Sequence, residues 1–332
     1  MKKEIIIWLC TLILGNSLVA TEAPNVRLTV HVITVDGQPV SGLEVGIGGG
    51  LSTTDGQYPR KANGLTDEKG DFTAIIACRD GIAGAFARGH GYYEAEVNTF
   101  RLYPVGLAGA KTENAVRTGR WEPWDQTVNV VILPIKNPVP AYTKRVVAFV
   151  PQNGKPCGYD LQKGDWVAPY GQGERTDVEF LMEGSVESGL NYDGKLTLQF
   201  PGAGNGIQAF ERDQIVHSEF RLPYEAPEEG YGPSWSWRNA RITENKLGAT
   251  STMIDESFLG GHFIFRVRSI LDPQGRVIRA NYGKIHAPVQ LSPRLNGKWA
   301  VDFVYYFNPD ETRNLEFDPK RNFFKDQNVI AP

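Results

Sequence analysis

Alternation of apolar and polar residues with a period of two recurs along most of this chain, and it constrains the fold more than any other feature. Val26, Leu28, Val30 and Val32 alternate with Arg27, Thr29 and His31, so the apolar set shares one strand face and His31 belongs to the solvent face. Leu196, Leu198 and Phe200 point one way while Lys195, Thr197 and Gln199 point the other. Trp299, Val301, Phe303, Tyr305 and Phe307 again share a face. No stretch of twelve residues carries a 3.6-residue period. The 36 glycines and 21 prolines suit short strands joined by tight turns. The expectation is an all-β chain. At 332 residues with 41% hydrophobic content it can bury two cores. The fold class expected is two β-sandwich domains, the C-terminal one a larger sandwich or jelly-roll-like.

Turn chemistry divides the chain further. After the Asp36–Gly37 turn come a strand at 43–47 and a loop of polar residues up to Gly64; Asp67 to Gly70 reads as a turn leading into a strand from Phe72 to Ala77. The run 127–134 is apolar enough for an internal strand. Between Phe100 and Gln126 the pattern lapses into a long loop holding Arg117, Arg120, Trp121 and Trp124, whose aromatic rings can plug one end of a sandwich. Pro138 and Pro140 disfavour helix and break a ladder, which places a linker at 137–142. Residues 24–136 then form the first domain and 143–332 the second, where Asp272–Gly275 predicts a β-hairpin with a type I turn.

Three segments of the first domain, Gly37-Gln-Pro-Val-Ser-Gly42, Thr66-Asp-Glu-Lys-Gly-Asp-Phe72 and Gly89-His-Gly-Tyr92, resemble the carboxypeptidase regulatory-like, transthyretin-like β-sandwich module. The resemblance implies that the N-terminal sandwich is transthyretin-like or Ig-like, and a scaffold rather than a source of chemistry. Downstream, the run from Gly158 to Gly171, with Gly206–Gln208, Leu222–Pro227 and Tyr282–Ile285, resembles a group of secreted bacterial proteins, and that likeness carries no function with it.

The N-terminus gives an address. Lys2 and Lys3 precede an apolar run from Ile5 to Leu14 and small residues at Ala20 and Ala23, the pattern of a secretory signal peptide over 1–20 with cleavage after Ala20 or Ala23. The run is about half the roughly 20 residues needed to span a bilayer, so no permanent membrane anchor is expected and the protein is placed outside the cell or in the periplasm. Cys10 leaves with the leader. Loss of Lys2, Lys3 and Glu4 moves the formal charge from −3 to about −4, a poor match for nucleic acid. Cys78 and Cys157 remain, as a disulfide or as two buried thiols.

Candidate chemistry is sparse. The histidines at 31, 90, 217, 262 and 286 include no i, i+4 pair, so histidine-based metal catalysis is poorly supported and no cofactor is expected. His217 and Glu219 share a face if 215–221 is a strand; His262, Arg266 and Arg268 share another, suited to an anion such as a uronate but interrupted by Ile264. There is no Gly-x-Ser-x-Gly elbow, and Pro201–Gly206 reads as a turn rather than a nucleotide loop. Glu211, Asp213, Glu244, Asp255 and Glu256 could supply a glycosidase-type pair, and Asp67, Glu68 and Asp71 or Asp310, Glu311 and Asp318 a calcium site, although neither cluster has EF-hand spacing. Most weight falls on Tyr231, Trp235, Trp237 and Arg238: in an extended segment the two indoles share a side and offer flat faces to a sugar ring, the competing role being core packing. The leading expectation is a secreted, noncatalytic protein that binds a polysaccharide or cell-surface partner. A structural component of a surface assembly and a polysaccharide-active enzyme with an accessory domain are the alternatives.

Overall fold

The structure is a computed structural model; it describes residues 22–50, 59–104, 108–211, 215–244, 250–257, 261–294 and 296–325. In chain order the elements are β1 (Asn25–Ile33), β2 (Glu44–Gly49), β3 (Lys61–Leu65), β4 (Asp71–Ala77), β5 (Ile82–Arg88), β6 (Ala95–Arg101), α1 (Ala108–Thr118), β7 (Arg120–Val131), β8 (Val139–Phe149), β9 (Cys157–Asp160), β10 (Asp165–Trp166), β11 (Val178–Ser188), β12 (Asn191–Gln199), β13 (Gly206–Phe210), β14 (Ser234–Glu244), β15 (Thr250–Asp255), β16 (His262–Leu271), β17 (Val277–Pro293), β18 (Trp299–Asn308) and β19 (Phe317–Asn322). The chain is all-β but for α1 among the described residues. No helix among them is long and apolar enough to cross a membrane.

Two sandwiches result. In the first, a three-stranded sheet β4-β1-β7 faces a four-stranded sheet β3-β2-β5-β6. The alternation in β1 sends Val26, Leu28, Val30 and Val32 inward against Val45, Ile47, Ile76, Val128 and Val130. Removing such side chains from water stabilises the fold by about 1.5–3 kcal/mol each. His31 stays on the outer face, half-buried, with Nδ1 2.6 Å from Asp71 Oδ1. In the second, the sheets β10-β9-β11-β12-β14-β15 and β13-β16-β17-β18-β8-β19 enclose a larger core that includes Phe180, Leu196, Leu198, Phe263, Phe265, Val301, Phe303, Tyr305 and Phe307. A third cluster joins the two: Tyr93 and Leu133 meet Phe220, Leu222, Ala226, Ile264, Tyr282 and Leu315 on the outward face of the β13–β19 sheet.

The hairpin at Asp272–Gly275 forms as expected. Gly275 takes φ +80° and donates to Asp272 O, while the Asp272 carboxylate accepts from the Gln274 and Arg276 amides.

Other expectations are corrected. The stretch from Phe100 to Gln126 is not a loop: it ends β6, holds α1 and begins β7. Ala108, Ala110, Lys111 and Ala115 are good helix formers, and Gly119 at φ +72° closes the helix in the left-handed conformation. Trp121 does plug that end of the sandwich, fully buried, with Nε1 donating to Cys78 O at 2.6 Å. Lys61–Leu65 is an edge strand rather than part of a polar loop. The proline segment enters a strand, because β8 begins at Val139. Its antiparallel ladder with β18 starts only at Tyr142, so the missing amides of Pro138 and Pro140 fall outside that ladder.

Cys78 and Cys157 are both buried free thiols, one in each sandwich core, so the candidate disulfide is not formed. Burial raises both thiols, Cys78 to about 12. Ala23 is buried ahead of β1; Ala20 and the rest of the expected leader lie outside the described residues.

Candidate functional site

The indole platform is not present. Trp235 and Trp237 do share a side of β14, but it is the inner side: they pair across the ladder with Leu198 and Leu196, whose side chains are core. Trp237 is 1% exposed, and both rings meet Phe263 edge-on, with centroids 5.2 and 5.0 Å away. Tyr231 is half-buried beneath the Arg266 guanidinium, 4.4 Å from its ring, and donates its hydroxyl to Pro227 O. Arg238 projects from the opposite face of β14 and grips Asp193 with two bonds of 2.9 and 2.7 Å. The four residues therefore serve three different environments.

The cationic face expected from His262, Arg266 and Arg268 is also taken apart. Arg266 donates to Gly204 O and Glu228 O. A bulge after Val267 turns Arg268, at φ +57°, away from the sheet face and onto Asp177, which it binds through Nε and Nη2 at 2.8 Å each. Asp160 and Asp177 are both buried, and their oxygens also receive amides from 161–163 and 174–175, which ties down that loop. His217 and Glu219 do not lie on a regular strand. Their segment lies beside β6 and β7, where His217 Nδ1 accepts the Val131 amide and the Glu219 amide donates to Glu94 O.

The candidate carboxylates are occupied locally. Glu256 accepts the Arg238 amide and Asp255 the Ser257 amide; Glu211 is exposed, while Asp213 and the Glu244 side chain lie outside the described set. Asp67 caps its own turn through Lys69 and Asp71, Glu311 pairs with Arg279, Asp318 with Arg321, and Asp310 accepts from Thr312. Among the described residues no group of three or more His, Cys, Asp or Glu is placed to hold a metal.

What the fold does assemble lies where the sandwiches meet. A groove of about 500 Å³ is lined by Lys136, Asn137, Val139, Tyr224, Glu225, Asp310, Thr312, Arg313, Asn314 and Glu316. Its frame is Glu316, 3% exposed, whose carboxylate accepts from Tyr93 Oη at 2.8 Å and from the Lys136 and Asn137 amides at 2.8 and 2.7 Å. A buried carboxylate with three donors is satisfied and rigid, so it fixes the rim. Tyr224 anchors the floor by donating to Pro134 O at 2.6 Å; Phe220 and the Lys136 ammonium, 3.8 Å from the ring, pack against it. Arg313 reaches Glu225 and Glu228, and Asn314 Nδ2 donates to Asn137 O. The Asn137 side chain is exposed on the rim.

On the same outward sheet face lies a second cluster that the sequence reading did not connect. The register Phe263↔Ile285 sets His262 directly across from His286, and their ring centroids are 4.6 Å apart. A small enclosed space of about 10 Å³ is bounded by both rings with Glu219, Phe220, Arg221, Leu222 and Lys284. Lys284 is buried, donates to Leu315 O and sits between the Phe220 and Tyr306 rings; burial pushes it down to about 7 against the opposing pull of Glu316. Burial, then cationic neighbours, push His262 down to about 3 and His286 to about 4. Beyond His286 the face opens into a groove of about 250 Å³ lined also by Arg145, Pro288, Gln290, Asp302, Phe303 and Val304. The turn expected at Asp272–Gly275 would set His262 opposite Ile285; the histidines meet because Leu271 pairs with Val277 instead.

No family model and no curated protein matches the chain. Solved structures give distant likenesses. A carbohydrate-binding protein, so described provisionally, from Bacteroides uniformis is 9% identical at TM-score 0.21, covering 86% of this chain and 100% of that one. The shaft pilin of Lactobacillus rhamnosus GG is 11% identical at TM-score 0.22, covering 55% and 90%. An intradiol ring-cleavage dioxygenase from Tetranychus urticae is 11% identical at TM-score 0.25, covering 36% and 85%. At TM-scores below 0.5, these likenesses assign neither a family nor a ligand to the chain.

Proposed function

We propose that this is an exported, noncatalytic binding protein that takes a neutral or weakly charged glycan in the groove between the two sandwiches. The first sandwich, which resembles the carboxypeptidase regulatory-like module, acts in this reading as the scaffold that carries Lys136 and Asn137 to the rim.

The observation that carries the reading is the Glu316 frame. One buried carboxylate holds the Lys136 and Asn137 amides and the Tyr93 hydroxyl, so the rim is pre-organised. The groove volume of about 500 Å³ falls within the range of small-ligand sites. Its lining of amides, a hydroxyl, a guanidinium and carboxylates suits the paired donors and acceptors of sugar hydroxyls. Each groove acid already accepts hydrogen bonds or an ion pair: Glu225 from Arg313, Asp310 from Thr312, and Glu316 from the rim. Committed acids position a ligand more readily than they shuttle protons.

Retention of the purified protein on a panel of insoluble and soluble polysaccharides tests this, with reducing-sugar release followed in parallel. Retention without product is expected, and Asn137→Ala combined with Arg313→Ala should weaken it roughly tenfold or more while the fold is kept. Product release would replace the binding reading with an enzymatic one. Retention unchanged in the double variant would remove the groove from the account.

A further inference from the structure

The His262–His286 pair is built like a receptor for an anion. Two half-buried imidazoles face each other across adjacent strands, and among the described residues their ring nitrogens make no hydrogen bond. Neutral imidazole keeps one N–H donor, so each ring can offer one to a shared acceptor. Among the described residues the charges that act on the pair are cationic: Arg221 from the covering segment and Lys284 from β17. Such a field opposes a metal ion and favours a negative group. Glu219, on the covering segment, is the nearest acid at that space; its own carboxyl is raised by burial and by Glu94 and Glu96, so its negative charge is weakened there. On the groove side, Arg145 and Asp302 neutralise one another through a two-bond pair.

We propose that His262 and His286, with the Arg221 charge close by, receive the carboxylate of a uronic acid residue whose ring lies in the adjoining groove. At about 250 Å³ that groove is smaller than the roughly 300–1,000 Å³ of drug-sized pockets, which limits the occupant to about one ring. Pro288 and Val304 offer apolar contact for the ring's C–H face, and Gln290 and Asp302 offer partners for its hydroxyls. A bare inorganic oxyanion would use none of these four. The site is separate from the junction groove and stands or falls independently of it. Because an anion bonded to the ring nitrogens favours their protonated forms, binding tightens on acidification. The groups that set this dependence are His262 on β16, Lys284 and His286 on β17, Glu219 and Arg221 above, Glu94 and Glu96 behind Glu219, and Arg145 and Asp302 across the groove.

The test is titration of the full chain with sodium glucuronate, followed by the imidazole C–H resonances assigned through His262→Asn and His286→Asn, with glucose and inorganic phosphate as comparison probes. Glucuronate should shift both resonances saturably, raise the titration midpoint of His286 and bind roughly tenfold or more tightly at pH 5.5 than at pH 7.5. Glucose should do neither. Gln290→Glu, at an exposed position on the groove wall, should weaken glucuronate without affecting the fold. Resonances unmoved by glucuronate would overturn the proposal. Phosphate binding in place of glucuronate would overturn the uronate assignment, as would Gln290→Glu without effect.

Discussion

Trp237 and Arg238 are neighbours in sequence with opposite fates, and the period of a strand explains why. Trp237 lies in the core and Arg238 faces outward to Asp193, so truncation should separate them: Trp237→Ala is expected to cost about 3–5 kcal/mol of unfolding free energy and Arg238→Ala far less, read by chemical denaturation. The sequence showed that the two indoles share a side. Whether that side faced solvent depended on Leu196 and Leu198 of β12, which lie opposite them in the ladder. The strand that carries the indoles begins at Ser234, past Tyr231, and its pairing with β12 places both of them inward.

The titrating residues of the outward sheet face give a signed prediction. His262 and His286 are held near 3 and 4 in the folded chain, below the ordinary 6.5, so the unfolded chain takes up protons first. Stability should therefore fall as pH drops from about 6.5 toward 4. Lys284, held near 7 against an ordinary 10.5, acts in the same direction: its penalty is fully present below about pH 7 and is relieved as pH rises toward 10.5. Thermal unfolding across pH 4 to 10 checks the sign. In a His262→Phe/His286→Phe variant the acid part of the slope should be reduced.

At the scale of elements, strands were legible where burial alternates and invisible where it does not. β1 and β18 announce themselves because one face is core. β3 does not, since its residues alternate only between exposed and half-buried and the strand pairs along a single edge. Nor does α1: Ala115 is its one buried residue, so no apolar stripe exists for a 3.6-residue period to mark. Only the start of β8 was hidden, by Pro138 and Pro140, which precede its ladder with β18. Some glycines are read only in the folded chain. At Gly283 on β17, a Cβ would lie 2.2 Å from both the Phe265 ring and Tyr306 O, because β16 and β18 close in on either side. Gly283→Ala should cost about 1–3 kcal/mol by denaturation, whereas Gly297→Ala, which meets nothing within 4 Å, carries only the cost of its positive φ.

Across the whole molecule, the all-β architecture followed from alternation, but the junction did not. Its groove gathers residues 136–139, 224–225 and 310–316, which come together only because Glu316 reaches back to Tyr93 and to the start of the β8 segment. No local pattern encodes such a long-range acid, since Glu316 in the sequence looks like any charged surface residue. The same holds for the histidine pair, whose signal was a register rather than a motif. The most direct test of the binding account is hydrogen exchange of the full chain with and without a retained glycan. Slowed exchange confined to 136–139, 224–225 and 310–316 is the predicted result; protection on the outer face of β11, β12 and β14, or none at the junction, would contradict it.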